Sequence, residues 1–521
     1  MSSPVRKVVV VGGGAAGWLT AGTIAAGHET HLDSSLEVTL VESPDVATIG
    51  VGEGTWPTMR TSLSRLCIRE ADFIRECDAS FKQGTRFDGW HTGEEGDTYY
   101  HPFTLPQGYV YANLVAAWQE RGGQLPFADA VGAQSQICRH GLAPKQSTTP
   151  EYASVANYGY HLDAGKFSQM LQRHCTEELG VRHILDHVTG VNVHDNGDIA
   201  SLGSKNHTDI EGDLFIDCTG FASLLLGKHY GIPFVSRKHN LFIDNALAVQ
   251  VPYEDQSSPI ESQTISTAQS AGWIWDIGLS SRRGVGYVYS GAHLSDDEAE
   301  AELRSYIEPS MGKAAESVSL RKIPINPGHR QKFWHRNCVA VGMAAGFLEP
   351  LEASALVLVE LSAGMISDQL PATRETMEVV AKRFNDKFLY RWDRVIDFLK
   401  LHYVLTERKD KPFWVDNCES DSVPESLQEL LAFWRHQVPW HGDFTQVDEV
   451  FSSASYQYVL YGMGFRTETR GLVQGSRKAL EAEKLLAENA RKTKQLLAGL
   501  PPNRELINHI IESGLPRGKV A

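Results

Sequence analysis

Val8-Val9-Val10-Val11-Gly12-Gly13-Gly14-Ala15-Ala16-Gly17 is the stretch on which the fold turns. Four β-branched residues in succession predict a short buried strand, and the glycines behind them stop it. Gly12, Gly14 and Gly17 fit the pattern GxGxxG. The first glycine permits a tight turn, the second lets backbone N–H groups approach a pyrophosphate, and the third lets a helix pack close to the strand. Ala15 to about Ala26 has helical composition, so a phosphate beside Gly14, Ala15 and Ala16 would face a helix N-terminus, whose unpaired N–H groups and dipole favour an anion. A second strand, Val38-Thr39-Leu40-Val41, ends at Glu42. An acidic residue at about that distance is expected to accept hydrogen bonds from an adenosine ribose. A glycine turn of purely structural purpose is the alternative, and the order strand, turn, helix, strand, acid argues against it.

Size and charge narrow the class. A chain of 521 residues exceeds what one hydrophobic core usually serves, so two packed domains or one large segmented domain are expected. Hydrophobic residues at 42% and charged residues at 22% are ordinary globular values. The formal charge of −15, from 49 basic and 64 acidic residues, disfavours nucleic acid or an anionic membrane as the main partner. Cys67, Cys77, Cys138, Cys175, Cys218, Cys338 and Cys418 show neither CxxC nor Cys/His ligand spacing. They read as reduced thiols, with no metal site and no disulfide framework. No signal-peptide pattern and no stretch of about 18 apolar residues is found, so a cytoplasmic protein is expected.

Farther along, Val191-Asn192-Val193, Leu214-Phe215-Ile216 and Cys338-Val339-Ala340-Val341 predict sheet strands among helices. Gly212 to Phe221 reads as a strand running into a Thr-Gly turn, similar to the later flavin-contact strand of flavoproteins with two dinucleotide domains. A second GxGxxG is missing, so a dedicated NAD(P)H domain is not expected and reduced flavin must come from elsewhere. From about Arg374 the pattern turns helical, with apolar spacing of three and four over 391–405 and 476–497 and a break at Pro501-Pro502. The expected architecture is α/β. A segmented, Rossmann-like FAD-binding core of the flavoprotein monooxygenase type covers 1–373, with inserted substrate-pocket elements at about 85–155. A helical substrate-binding subdomain covers 374–521. Gly272-Trp273-Ile274-Trp275-Asp276-Ile277 alternates in a way that predicts a strand with an aromatic face packed on a core.

That segment, together with Gly50-Val51-Gly52-Glu53-Gly54-Thr55, Phe81-Lys82-Gln83-Gly84, His161-Leu162-Asp163-Ala164, Gly346-Phe347-Leu348-Glu349-Pro350-Leu351-Glu352 and Leu401-His402-Tyr403, resembles the flavin-dependent halogenases of the tryptophan halogenase family. The matches run in order from residue 5 to about 465. The resemblance implies FAD used as FADH2, held by Gly12, Gly14, Ala15, Ala16, Gly17, Glu42, Gly50, Val51, Gly342 and Leu351. It also implies dioxygen, a chloride or bromide co-substrate and a separate NAD(P)H-dependent flavin reductase. In this family halide attacks the C4a-hydroperoxyflavin, and the hypohalous acid formed passes through an interior tunnel to a separate aromatic substrate. Trp273 and Trp275 are then expected to keep the organic substrate off the flavin.

Lys82 matches the family's essential lysine. An ammonium there would hydrogen-bond and polarise hypohalous acid, whereas a neutral amine, favoured by burial, could form a haloamine. Glu352 matches the second catalytic residue, a carboxylate that orients the acid or accepts the arenium proton; Glu349 competes for that role. Halide is held in the family by backbone N–H groups in a Ser-Thr-Gly segment, which reads Ala353-Ser354-Ala355 here and leaves Ser354 and Ala355 as donors. Loss of the glycine is expected to restrict the backbone. A second departure is Gly278, where the family usually has proline. His101 and Phe103 match residues that flank the indole in tryptophan-specific members, whereas the residues that grip the amino-acid backbone find no match at 451–463. An indole or simple indole derivative is therefore the expected substrate of a monomer or homodimer. A flavin hydroxylase and a catalytically silent flavin-binding protein are the alternatives.

Overall fold

The computed structural model describes residues 4–32, 35–46, 52–446, 448–469 and 471–517. The chain divides into two compact units, the first formed by Met1–Asp78, Leu162–Arg237 and Asn326–Asp393. Its main sheet has the strand order Trp334–His335, Cys338–Ala340, Leu214–Asp217, Lys7–Val11, Glu37–Glu42, Arg182–Leu185. Every neighbouring pair is parallel except the short hairpin at Trp334–His335. Val8 to Val11 are at most 3% exposed. A strand in the middle of a parallel sheet is covered on both faces, which is why its sequence is a continuous valine run and not an alternation. Helix Ala15–Gly27 follows and packs against helices Ala164–Glu177 and Ser354–Asp368. The strand expected at 191–193 is found as Val188–Val193, but it lies in a separate antiparallel sheet with Ile199–Ser204 and Ile210–Glu211. Its residues are half-buried or exposed, as suits a sheet that faces water on one side.

The second unit comprises Ala79–His161, Lys238–Ile325 and Arg394–Ala521. A seven-stranded sheet carries it, in the order Arg321–Pro324, Asn245–Pro252, Arg282–Tyr289, Gly272–Gly278, Thr264–Ala268, Gly84–Asp88, Thr98–Pro102. All its pairs are antiparallel except Thr264–Ala268 beside Gly84–Asp88. One face is closed by helix Asp296–Met311, whose Ala299, Leu303 and Ile307 pack on Leu247, Val249, Ile274, Val285 and Tyr287. Ser295 starts that helix with a reciprocal cap, taking the Glu298 N–H while the Glu298 carboxylate takes its own. Ser476 caps helix Arg477–Gly499 one way, its hydroxyl accepting from the Ala479 N–H, and Pro501-Pro502 separates it from helix Asn503–Ser513. No helix among the described residues is long and apolar enough to cross a membrane.

Candidate functional site

In the first unit the glycine turn has the geometry its spacing predicts. Gly12 has φ 114, and a Cβ there would run into the Cys218 carbonyl oxygen. A Cβ on Gly17 would strike the Gly12 carbonyl, so loop and helix meet where only glycine fits. Gly14 is different: nothing stands within 4 Å of the place its Cβ would take. It begins helix Ala15–Gly27 without a side-chain cap, and no acidic residue occupies the first turn. A helix N-terminus that no side chain caps, beside open space at Gly14, is what a pyrophosphate requires, so the residues fit FAD. Gly13, which the pattern leaves unspecified, is also forced, because a Cβ there would collide with the Glu42 carboxylate. Glu42 accepts a hydrogen bond from Gln172 Nε2 at 3.2 Å, and the His183 ring stands beside it with Nε2 2.8 Å away but outside hydrogen-bond geometry. Gly342, at φ 67, would bring a Cβ within 2.8 Å of the Ala16 Cβ and thus lies at the same turn. Gly50 and Val51 lie outside the described residues.

Also in the first unit, Leu351 is fully buried and Glu352 is 3% exposed. The Ala353 N–H donates to the Pro350 carbonyl at 2.9 Å and closes a turn whose third residue, Glu352, has φ 61 and ψ 10. Those are values glycine or asparagine adopts in a type II turn. Ala353 follows at φ 53 and ψ 45. A left-handed conformation costs an L-residue roughly 1–2 kcal/mol, and here two occur in succession. Helix Ser354–Asp368 then begins with no side-chain cap and no acidic residue in its first turn, leaving N–H groups at Ser354 and Ala355 suited to an anion. Ser354 is buried and Ala355 exposed. The restriction expected from the missing glycine falls elsewhere: Ala355 has ordinary helical backbone, and the positive φ angles are carried by Glu352 and Ala353.

The second unit holds Lys82, 1% exposed, on strand Ser80–Lys82. Its Nζ lies 5.4 Å from the centroid of the Phe103 ring. Strand pairing sets Lys82 opposite Gly159 and Ser80 opposite His161. Burial, and after it the Lys82 charge, hold His161 well below the ordinary imidazole range, so that ring is neutral; its Nε2 shares a hydrogen bond with Thr264 Oγ1 at 2.9 Å. The opposite side of the strand shows Phe81 edge-on to Tyr158 at 5.0 Å. His101 is 1% exposed and faces Phe398 at 5.5 Å and Tyr458 at 6.2 Å. Phe451 stacks on Phe398 with centroids 3.8 Å apart. The helix Ser453–Gly462 thus belongs beside His101, a placement that sequence reasoning missed because aromatics at helical spacing look like any core.

Every residue of strand Gly272–Gly278 is buried. Trp275 lies over Gly286, where a Cβ would run into its ring. Trp273 packs at 6.1 Å from Trp90, which in turn meets Trp414 and Tyr403. On the other face Asp276 is paired with Arg283 and accepts from Tyr306 Oη at 3.2 Å. Gly278 is tight: a Cβ would come within 2.9 Å of Ile260 and 3.0 Å of the Tyr253 hydroxyl, and its carbonyl accepts from Ser80 Oγ. Two carboxyls that sequence reasoning did not single out are perturbed in the first unit. Packing pushes Glu53 up to about 7, although part of the residue stays accessible. Burial pushes Glu360 to about 7 as well. Among the described residues no cluster of His, Cys, Asp and Glu is arranged to hold a metal ion.

Comparison with known proteins agrees with this geometry. The family model of tryptophan halogenase matches residues 7–476. Tryptophan 6-halogenase SttH of Streptomyces toxytricini is 32% identical over 479 residues, covering 88% of this chain and 89% of that protein. The crystal structure of a tryptophan halogenase from Shewanella frigidimarina superposes with a TM-score of 0.96 at 49% identity, covering 99% of both chains. BrvH, a flavin-dependent halogenase from Brevundimonas sp. BAL3, superposes with a TM-score of 0.85 at 33% identity over 97% of this chain and 99% of that one. With a parallel α/β sheet leading into an uncapped Gly12–Gly17 turn, and with relatives matched along nearly its whole length, the chain belongs to the tryptophan halogenase family and is a flavin-dependent halogenase.

Proposed function

We propose that the chain halogenates an electron-rich aromatic, an indole or simple indole derivative, with chloride or bromide, dioxygen and FADH2 delivered by a separate flavin reductase. FAD when bound supplies the oxidation of halide to hypohalous acid. Gly12, Gly14, Ala15, Ala16 and Gly17 would hold its pyrophosphate, Glu42 its ribose, and Gly342 and Leu351 would border it. The N–H groups of Ser354 and Ala355 would hold the halide. Lys82 hydrogen-bonds the hypohalous acid and makes its halogen more electrophilic, and Glu352 accepts the proton released as the ring regains aromaticity. His101 and Phe103 flank the ring and select the carbon that reacts. Trp273 and Trp275 keep the aromatic from the flavin.

One observation carries this reading: Lys82 is buried with its Nζ against the Phe103 ring. A buried lysine head beside an aromatic ring is placed where it could meet both a small oxidant and an aromatic substrate. The test supplies FADH2 through a reductase, with bromide and with indole or tryptophan in parallel, and reads products by mass spectrometry. Wild type is expected to give monohalogenated indole, and Lys82→Met to give none while still binding FAD. Halogenation by Lys82→Met at the wild-type rate would rule out the assignment of Lys82, and a hydroxylated product without halogen would overturn the halogenase reading.

A further inference from the structure

Glu352 and Ala353 are, among the described residues, the one place where two adjacent non-glycine residues both have positive φ. Neither residue type favours that conformation, so the surroundings must impose it. Three hydrogen bonds from the segment that begins at Trp56 bear on it, one at the corner itself and two on the helix that follows. The Trp56 indole Nε1–H donates to the Glu352 carbonyl oxygen at 2.8 Å, across 296 positions of sequence. Directly after it comes helix Thr58–Arg65, and there Thr58 Oγ1 at 3.2 Å and Ser62 Oγ at 2.5 Å donate to the Glu360 carboxyl on the helix that leaves the corner. The corner is therefore held at its own carbonyl and again about two turns downstream.

We propose that Trp56 is a positioning residue for Glu352. By taking the Glu352 carbonyl, the indole N–H fixes the plane of the 352–353 peptide, and with it the left-handed backbone from which the Glu352 side chain projects. The direction of the carboxylate is then set by a hydrogen bond to the backbone and not by the side-chain rotamer alone. Glycine at 352 would relax the corner but remove the carboxylate, so a glutamate here needs an external clamp. The inference rests on Glu352 being the proton acceptor proposed above. Trp56 touches no reacting atom; it acts through Glu352.

The test is a double-mutant cycle in the reconstituted halogenation assay, with Trp56→Phe, Glu352→Gln and the two combined. Trp56→Phe keeps a ring and deletes the N–H. A carboxylate displaced by about 1 Å costs up to about 100-fold in rate, so kcat of Trp56→Phe is expected to fall between about 10- and 100-fold. The KM values for aromatic and halide should stay within about twofold, as should FAD affinity, because uniform binding is untouched. In the Glu352→Gln background the same change should lower kcat no further. Full activity of Glu352→Gln would refute the role of Glu352 itself. Impaired Glu352→Gln with an additive Trp56→Phe effect, or with none in either background, would refute the positioning role alone. A parallel loss of FAD affinity or thermal midpoint in Trp56→Phe would make Trp56 a structural residue and overturn the proposal.

Discussion

Glu360 offers a measurement of how the corner helix is anchored. Its side chain sits 8% exposed on helix Ser354–Asp368. Burial pushes the carboxyl from 4.5 up to about 7, against the hydrogen bonds from Ser62 and Thr58, which pull it down. The native state therefore binds this proton more tightly than the unfolded chain does. Stability from this group is fully present below about pH 4.5, the unfolded value, and is lost as pH rises through about 7. At about 1.4 kcal/mol per pH unit the whole window is worth roughly 3 kcal/mol. Glu360→Gln keeps the size and the acceptor oxygen and removes the titration. Urea unfolding of both proteins at about pH 5 and about pH 8.5 should show wild type losing roughly 2–3 kcal/mol relative to the variant. Parallel pH profiles would mean that Glu360 is not the neutral buried acid this packing describes. A steeper loss in the variant would reverse the sign and refute the reasoning outright.

Two further substitutions probe the rest of the molecule. Gly17→Ala places a methyl against the Gly12 carbonyl; FAD affinity, read from flavin fluorescence, should drop by at least about tenfold, and unchanged affinity would remove the turn from the cofactor site. Gly286→Ala drives a Cβ into the Trp275 ring; overpacking of this kind costs roughly 1–3 kcal/mol, visible as a lower thermal midpoint, whereas an unaltered midpoint would show that Trp275 can move aside.

What the sequence made legible was whatever depends on local backbone sterics. Gly17 is needed because a Cβ would strike the Gly12 carbonyl five residues earlier, Gly12 has the positive φ that its turn demands although the carbonyl its Cβ would meet is that of distant Cys218, and the valine run at Val8 to Val11 marks a strand covered on both sides. Gly13 was invisible in this sense, since its constraint is Glu42, which reaches it only through the neighbouring strand. The left-handed pair at Glu352 and Ala353 could not be read either: the residue types argue against it, and the hydrogen bond that holds it comes from Trp56. The missing glycine at Ala355 looked restrictive from residue identity alone, yet the strain lies two and three positions earlier. Phe398, Phe451 and Tyr458 carry no pattern that separates a substrate wall from a core, and only the fold brings them to His101.

The strand Gly272–Gly278 shows how one element can meet two requirements in the second unit. The barrier role proposed above calls for rigidity, and this strand is locked on both faces, by the Trp273–Trp90 contact and the Trp275–Gly286 contact on one and by the Asp276–Arg283 pair and Tyr306 on the other. Strand Ser80–Lys82 is fastened to its end, because Ser80 donates to the Gly278 carbonyl. Ser80 and Lys82 project from the same side of that short strand, two residues apart. The position of Lys82 is thus tied to the strand whose tryptophans are proposed above to exclude the substrate. Glycine at 278 suits the same place: a Cβ would crowd Ile260 and the Tyr253 hydroxyl beside the carbonyl that Ser80 binds. Fixing strand Gly272–Gly278 and Lys82 in one framework limits how far the lysine can move, which would suit the role proposed for it above, meeting a small oxidant in a single geometry.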